Sequence, residues 1–266
     1  MKRLLFALTC LLVACDGGST PGSSDGATPL TDGAGPPPAG DRSSPAAYVR
    51  GDFRALVIEL DVGGGLAPSA GVSDTVIGAM GPLLDKPDGI RVETDTEIPT
   101  ERLQDEWTFA DLQALAAETF DSRGSSDEAV LHTMWLPGRY VAEGGGTILG
   151  VAWSNRHIAM FPETIEASCS GLLPTVRERV CTEAQAAVWT HEIGHVIGLV
   201  NLGIPMVEDH EDPDHPGHTN DEEGVMYWAY ERPAAADLLA ARLAGGGPSF
   251  EFGPASLADV EAFRAP

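Results

Sequence analysis

Two histidines stand four residues apart at His191 and His195, with Glu192 directly after the first and Gly198 three residues beyond the second. On a helix, residues at this spacing leave the same face one turn apart. Two ring nitrogens so placed can share one zinc ion. Glu192 then stands where a carboxylate can take a proton from water that the ion acidifies, which makes it the candidate catalytic residue. Gly198 falls where such a helix ends, because glycine tolerates the left-handed backbone of a helix terminus.

The chemistry requires a helix, and the surrounding residues predict one. Thr182 with Gln185 three positions on reads as a capping box that starts it. Ala184, Ala186, Ala187, Val188, Trp189, Ile193, Val196, Ile197 and Leu199 make it apolar nearly all round, as for a helix inside a core. Two histidines and a glutamate there are costly without a shared purpose. Zinc asks for a third protein ligand and, in catalytic sites, leaves a fourth position for water. The candidates downstream are Asn201, His210, His215 and His218.

The helix motif with its glycine resembles the metzincin metalloproteases, whose pattern is H-E-x-x-H-x-x-G-x-x-H or D. Asn201 stands at the place of the third ligand, and a neutral amide oxygen is a poor partner for zinc. From His218 to Met226 the chain resembles the archaemetzincin pattern H-C-x-x-x-x-C-x-M, with Thr219 and Gly224 in place of the two cysteines. The resemblance implies a loop inserted between Gly198 and His218. It also implies His218 as third ligand, with His210, His215 and Asn201 as alternates, and Met226 as the Met-turn residue under the metal. Leu199-Val200-Asn201 after the glycine and Met226-Tyr227-Trp228 downstream also resemble a group of bacterial lipoprotein metalloproteases. What these resemblances imply is a zinc endopeptidase acting on peptide or protein substrates. Tyr227 and Tyr230 are candidates to stabilise an oxyanion. A thermolysin-like site would instead use a glutamate, Glu211 or Glu222, as third ligand. A non-catalytic surface lipoprotein that binds metal is the reading from another class.

Residues 208–223 hold eight acids in sixteen positions, and no Lys or Arg occurs between Val180 and Glu231. Such oxygen density could hold calcium, although a solvated loop needs no ion. The net charge of −24 excludes nucleic acid and an anionic membrane surface as natural partners. A monomer is expected.

Residues 1–14 read as an export signal, with Lys2 and Arg3 before an apolar run too short to span a bilayer. Leu12-Val13-Ala14-Cys15 resembles the lipobox of bacterial lipoproteins. This implies lipid on Cys15 and a chain anchored to a bacterial membrane, periplasmic or at the cell surface, with the lipid as its only membrane contact. Cys169 and Cys181 remain as a pair, and in an exported protein a disulfide closing a loop ahead of the zinc helix is the default. Residues 15–47, rich in Gly, Ser, Pro, Asp and Thr, form a flexible tether, which leaves 48–266 as the catalytic domain.

Within that domain, strands are predicted at 53–62, 90–98, 129–136, 147–153 and 157–161, the last two around a Ser154-Asn155-Arg156 turn. Helices are predicted at 73–84, 109–120, over the motif, at 234–243, and at 257–263 behind a Ser256 cap. The edge formed by 150–153 or 157–161 is where an extended peptide could add as a strand. His132 and His157 read as isolated structural histidines. The fold class expected is mixed α/β (α+β), a metzincin-like mixed sheet with an active-site helix packed on it.

Overall fold

Nine consecutive buried residues, Ala55–Gly63, form a strand with a neighbour on each side. A strand rich in Val, Ile and Leu and buried on both faces belongs inside a parallel sheet covered by helices. A computed structural model describes residues 42–122, 124–142 and 145–265. The expected signal segment, the lipid site at Cys15 and the tether up to residue 41 lie outside the described residues.

The elements in order are α1 (Pro45–Val49), β1 (Ala55–Gly63), α2 (Val72–Met80), β2 (Gly89–Ile98), β3 (Glu106–Trp107), α3 (Phe109–Thr119), β4 (Glu128–Trp135), β5 (Arg139–Tyr140), β6 (Gly150–Trp153), β7 (His157–Met160), α4 (Pro162–Ser168), α5 (Pro174–Ile197), β8 (Glu211–Asp212), β9 (His215–Thr219), α6 (Ala235–Gly245) and α7 (Pro254–Arg264). Five strands make one sheet in the order β2-β1-β4-β7-β6. The first four run parallel, and β6 turns back antiparallel along β7. Ser154 and Asn155 take left-handed φ values of 57° and 48° at that reversal, the geometry a tight hairpin demands.

The sheet is covered on both faces. Leu56, Ile58 and Leu60 join Val72, Val76 and Met80 of α2 and the apolar face of α5 in one core. Met134, Val151 and Ala159 join Leu112, Leu115 and Ala116 of α3 in the other. Each fully buried aliphatic side chain contributes about 1.5–3 kcal/mol, so the first core holds α5 against one face of the sheet and the second holds α3 against the other. The mixed α/β class expected from the sequence is the architecture found.

Several boundaries differ from expectation. α5 starts at Pro174, eight residues before the expected capping box at Thr182. Proline at the first helical position suits a start, since its missing N–H has no intrahelical partner there. The Thr182 hydroxyl instead donates back to the Glu178 carbonyl at 3.0 Å, and Gln185 Oε1 accepts from the Ser69 amide at 2.9 Å. Cys169 and Cys181 are joined, with Cα atoms 6.0 Å apart, so the bridge ties the interior of α5 to the turn before it rather than marking its start. Likewise α7 begins at Pro254, and Ser256 is buried inside it instead of capping it. α1 crosses the boundary placed at residue 48: Ser43, Ser44 and Ala47 are buried, and the Ser44 hydroxyl caps the helix. No described helix is long and apolar enough to cross a membrane.

Candidate metal centre

The second half of α5 is buried on every side, and His191, Glu192 and His195 are at most 3% exposed. Gly198 closes the helix at φ 94°, and the Leu199 amide reaches back to the Gly194 carbonyl at 3.0 Å. The chain then turns sharply through Val200 and Asn201, both at positive φ. Asn201 is exposed, whereas the cluster described next is fully buried, so its positive φ after the glycine marks it as a turn residue.

The two imidazoles meet as their spacing requires. His191 Nε2 lies 3.0 Å from His195 Nε2, with ring centroids 4.6 Å apart. His191 Nδ1 sits 2.7 Å from the Val225 carbonyl and donates to it, which leaves the Nε2 lone pair for another partner. The third ring comes from β9. His218 stacks on His191 at 5.1 Å and meets His195 edge-on at 4.8 Å. Its position is set by the β8–β9 hairpin and by the Thr219 amide, which donates to the Met226 carbonyl at 3.0 Å. Met226 is buried against α5, and a Cβ on Gly194 would collide with its sulfur. Gly194, between the two histidines, is therefore the residue that lets the methionine reach the helix.

A fourth group joins them. Glu231, at the end of a 3-10 turn at Trp228–Glu231, is buried with Oε2 3.7 Å from His218 Nε2. Ligand atoms of His191, His195, His218 and Glu231 all lie within 4.8 Å of one another. Sequence reasoning missed Glu231 by looking for a glutamate ligand only within the acidic loop. The signal available was a single acid closing the otherwise apolar run Val225-Met226-Tyr227-Trp228-Ala229-Tyr230.

The cluster fits a metal ion on the chemistry of its own atoms. His195 Nδ1, both nitrogens of His218, Glu192 Oε1 and both oxygens of Glu231 are buried without a hydrogen-bond partner. Buried polar atoms are rarely left so, because each loses its water for nothing. Three imidazole nitrogens and a carboxylate oxygen are a donor set suited to zinc. Burial, with His218 second, holds His191 down to about 4, and burial also holds His195 well below the ordinary range. Both are therefore neutral near pH 7, the form that ligates. Burial, reinforced by the charge of Glu231, holds Glu192 well above the usual carboxylate range.

Glu192 lies against the edge of the sheet. A Cβ on Gly150 would come within 2.7 Å of its Cγ and 2.8 Å of its Oε1, so the first residue of β6 makes room for it. The Leu149 amide donates to the Glu231 carbonyl at 2.9 Å, which ties this end of β6 to the metal cluster.

The remaining candidates are placed elsewhere. His210 is buried between Asp259 (2.8 Å) and the Thr219 hydroxyl (3.1 Å). His215 bonds Asp212 at 2.8 Å and stacks on Trp228 at 4.4 Å. Both alternates are thereby committed to the hairpin and its support. Glu211 accepts from the Gly217 amide, Glu222 is exposed, and neither joins the cluster, so the glutamate beside the three imidazoles is not one the acidic loop supplies. Among the described residues, no grouping of three or more potential ligands includes an acid from 208–223, and the calcium expectation finds no support. Asp212 and Asp221 instead accept from the Asp214 and Glu223 amides, shaping turns. Tyr227 is half-buried beside Trp228. The Tyr230 hydroxyl is buried without a hydrogen bond, and burial pushes it up to about 12.

No protein-family model matches the chain, and no curated protein matches it. In fold it is similar to the crystal structure of an archaemetzincin from Methanopyrus kandleri, at 16% identity and TM-score 0.49, covering 78% of this chain and 94% of that one. It is also similar to a zinc-dependent peptidase from Methanocorpusculum labreanum, at 13% identity and TM-score 0.46, covering 76% and 99%. An archaemetzincin from Archaeoglobus fulgidus, crystallised with malonate, is similar at 11% identity and TM-score 0.42, covering 77% and 99%.

Proposed function

We propose that this chain is a zinc-dependent endopeptidase. The observation that carries the reading is the convergence of His191, His195 and His218 with Glu192 beside them, all buried, with both nitrogens of His218 and one Glu192 oxygen left without a hydrogen-bond partner. The three imidazoles would hold the ion. When bound, zinc supplies Lewis acidity, which acidifies water and polarises a scissile carbonyl. Glu192 takes the proton from the attacking water as general base and hands it to the leaving amine nitrogen. Its burial favours the first step, because a carboxylate held above its usual range takes up a proton more readily.

Substrate would add to the sheet at β6, the edge strand, through backbone hydrogen bonds. β7, the other strand expected to do so, lies between β4 and β6 and has no free edge. The acidic character of the chain favours peptide segments with basic residues. We place the protein outside the cytoplasm as a monomer, anchored by lipid on Cys15. The test is casein hydrolysis by purified protein with one equivalent of zinc, and by Glu192→Gln. Equal rates for the two would sink the mechanism.

The presence of Glu231 favours one second reading, a metal-binding protein without catalysis, since four protein ligands leave no place for water. Tight zinc at one equivalent with no hydrolysis of any peptide would select it.

A further inference from the structure

We propose that Glu231 is a fourth protein ligand that closes the metal centre at rest. The inference rests on the reading of the cluster as a zinc site and concerns how that site is regulated. Zinc bonds of about 2.0–2.1 Å arranged tetrahedrally put neighbouring ligand atoms about 3.3 Å apart. Two ligand pairs bracket that edge: His191 Nε2 to His195 Nε2 at 3.0 Å, and His218 Nε2 to Glu231 Oε2 at 3.7 Å. The remaining separations are all within 4.8 Å, so the four nitrogen and oxygen atoms converge on a space that one ion would fit.

The rival role for a carboxylate beside a ligating histidine is to accept from the ring's other nitrogen and orient it. That role is not built here. Glu231 approaches Nε2 of His218, and His218 Nδ1 has no hydrogen-bond partner. Charge points the same way. Three neutral imidazoles bring no negative charge to a buried dication, and the Glu231 carboxylate would offset part of that charge, where an uncompensated buried charge is strongly disfavoured.

The closure is tethered to the edge of the sheet. The Glu231 carbonyl accepts from the amide of Leu149, the residue just before β6, and Arg232 Nε stands 3.3 Å from Glu231 Oε1. A strand added to β6 would therefore pull on the same backbone that holds Glu231 at the ion, and Arg232 offers the carboxylate a place when it leaves. Water or substrate enters the fourth position only after that displacement.

The test uses full-length protein loaded with cobalt(II), whose visible spectrum reports coordination, and titrated with azide as a small exogenous ligand. The wild type is expected to show a four-coordinate spectrum that azide leaves unchanged. Glu231→Gln and Glu231→Ala are expected to respond to azide and to bind zinc at least about 100-fold more weakly in chelator competition. A wild-type spectrum that shifts with azide overturns the proposal without reference to any variant, so a variant that fails to fold does not rescue it. Unchanged zinc affinity in Glu231→Gln overturns it too, and leaves the three-histidine site standing. If the wild type binds neither ion at one equivalent, the zinc reading itself fails and the proposal falls with it.

Discussion

Two clusters of buried histidine and carboxylate lie on opposite sides of the sheet, and they differ in one respect. Beneath α3, Glu59, Asp61 and His132 have ligand atoms within 4.8 Å of one another, just as the cluster on α5 does. Yet Glu59 accepts from the Asp121 and Ser122 amides at 3.1 and 2.9 Å. Asp61 accepts from the Thr96 amide at 3.3 Å and bonds His132 Nε2 at 2.9 Å. His132 Nδ1 in turn meets His157 Nδ1 at 2.9 Å. The α5 cluster, with Glu192, leaves six buried polar atoms without a hydrogen-bond partner. Proximity of ligand types is thus common to a hydrogen-bonded core network and a metal centre. The unpaired buried atom is what separates them, because only the second arrangement needs an ion to repay its desolvation.

If that distinction is right, substitutions in the two clusters must fail differently. Glu192→Gln is expected to lower peptide hydrolysis by about 10²–10⁴-fold, the range for loss of a general base, while zinc stoichiometry by metal analysis stays at one. His132→Ala is expected to do the reverse. It strands the buried Asp61 carboxylate and should cost about 3 kcal/mol in urea unfolding, with zinc content unchanged. A His132 variant that loses zinc would erase the contrast.

Metal removal sharpens the comparison further. A ligand held at 100 times its dissociation constant stabilises the folded state by about 2.7 kcal/mol. Chelation of the wild type should therefore lower Tm by about 5–10 °C for a domain of this size. His218→Ala should start lower and show no chelator response, whereas His132→Ala should keep the full response. Equal responses in both variants would mean that the ion is not held by the α5 cluster.

How much of this was readable in the chain follows from which interactions are local. The spacing of His191, Glu192 and His195 lies within two turns of one helix, and Gly198 ends that helix by its own backbone freedom, so both were legible. The long strands and helices were legible by periodicity. Boundaries went wrong where tertiary partners overrode local chemistry: Gln185 is drawn to Ser69 and Thr182 to Glu178, so neither caps a helix. The loop was read as charge density, but the exchange of amide and carboxylate bonds within it builds a hairpin that delivers His218. Glu231 was marked in the sequence only as a lone acid after an apolar run, and its meaning depends on a 3-10 turn folding back over α5. For the same reason His132 and His157 read as isolated residues, although adjacent strands bring them into register.

The smallest expected effect concerns pH. Burial, followed by His132 and Arg156, holds the His157 imidazole down to about 3, far below the ordinary 6.5 or so. Its ring is stacked on Trp153 and met edge-on by Phe120 and His132, with the Arg156 guanidinium over Phe120. No carboxylate bonds it directly. The unfolded chain takes up a proton at this residue near pH 6.5, and the folded chain does so only near pH 3. Between those values the unfolded state binds more protons, so stability present above pH 6.5 is lost as pH falls. From pH 7 to pH 5 the loss from this one group is expected to be about 1–2 kcal/mol, allowing for its partial exposure. Urea unfolding at both pH values, with chelator present so that the metal plays no part, should show a drop smaller by that amount in His157→Asn. The same drop in both proteins would mean that His157 is solvated well enough to titrate normally, and the α3 network would then be less sealed than its hydrogen bonds imply.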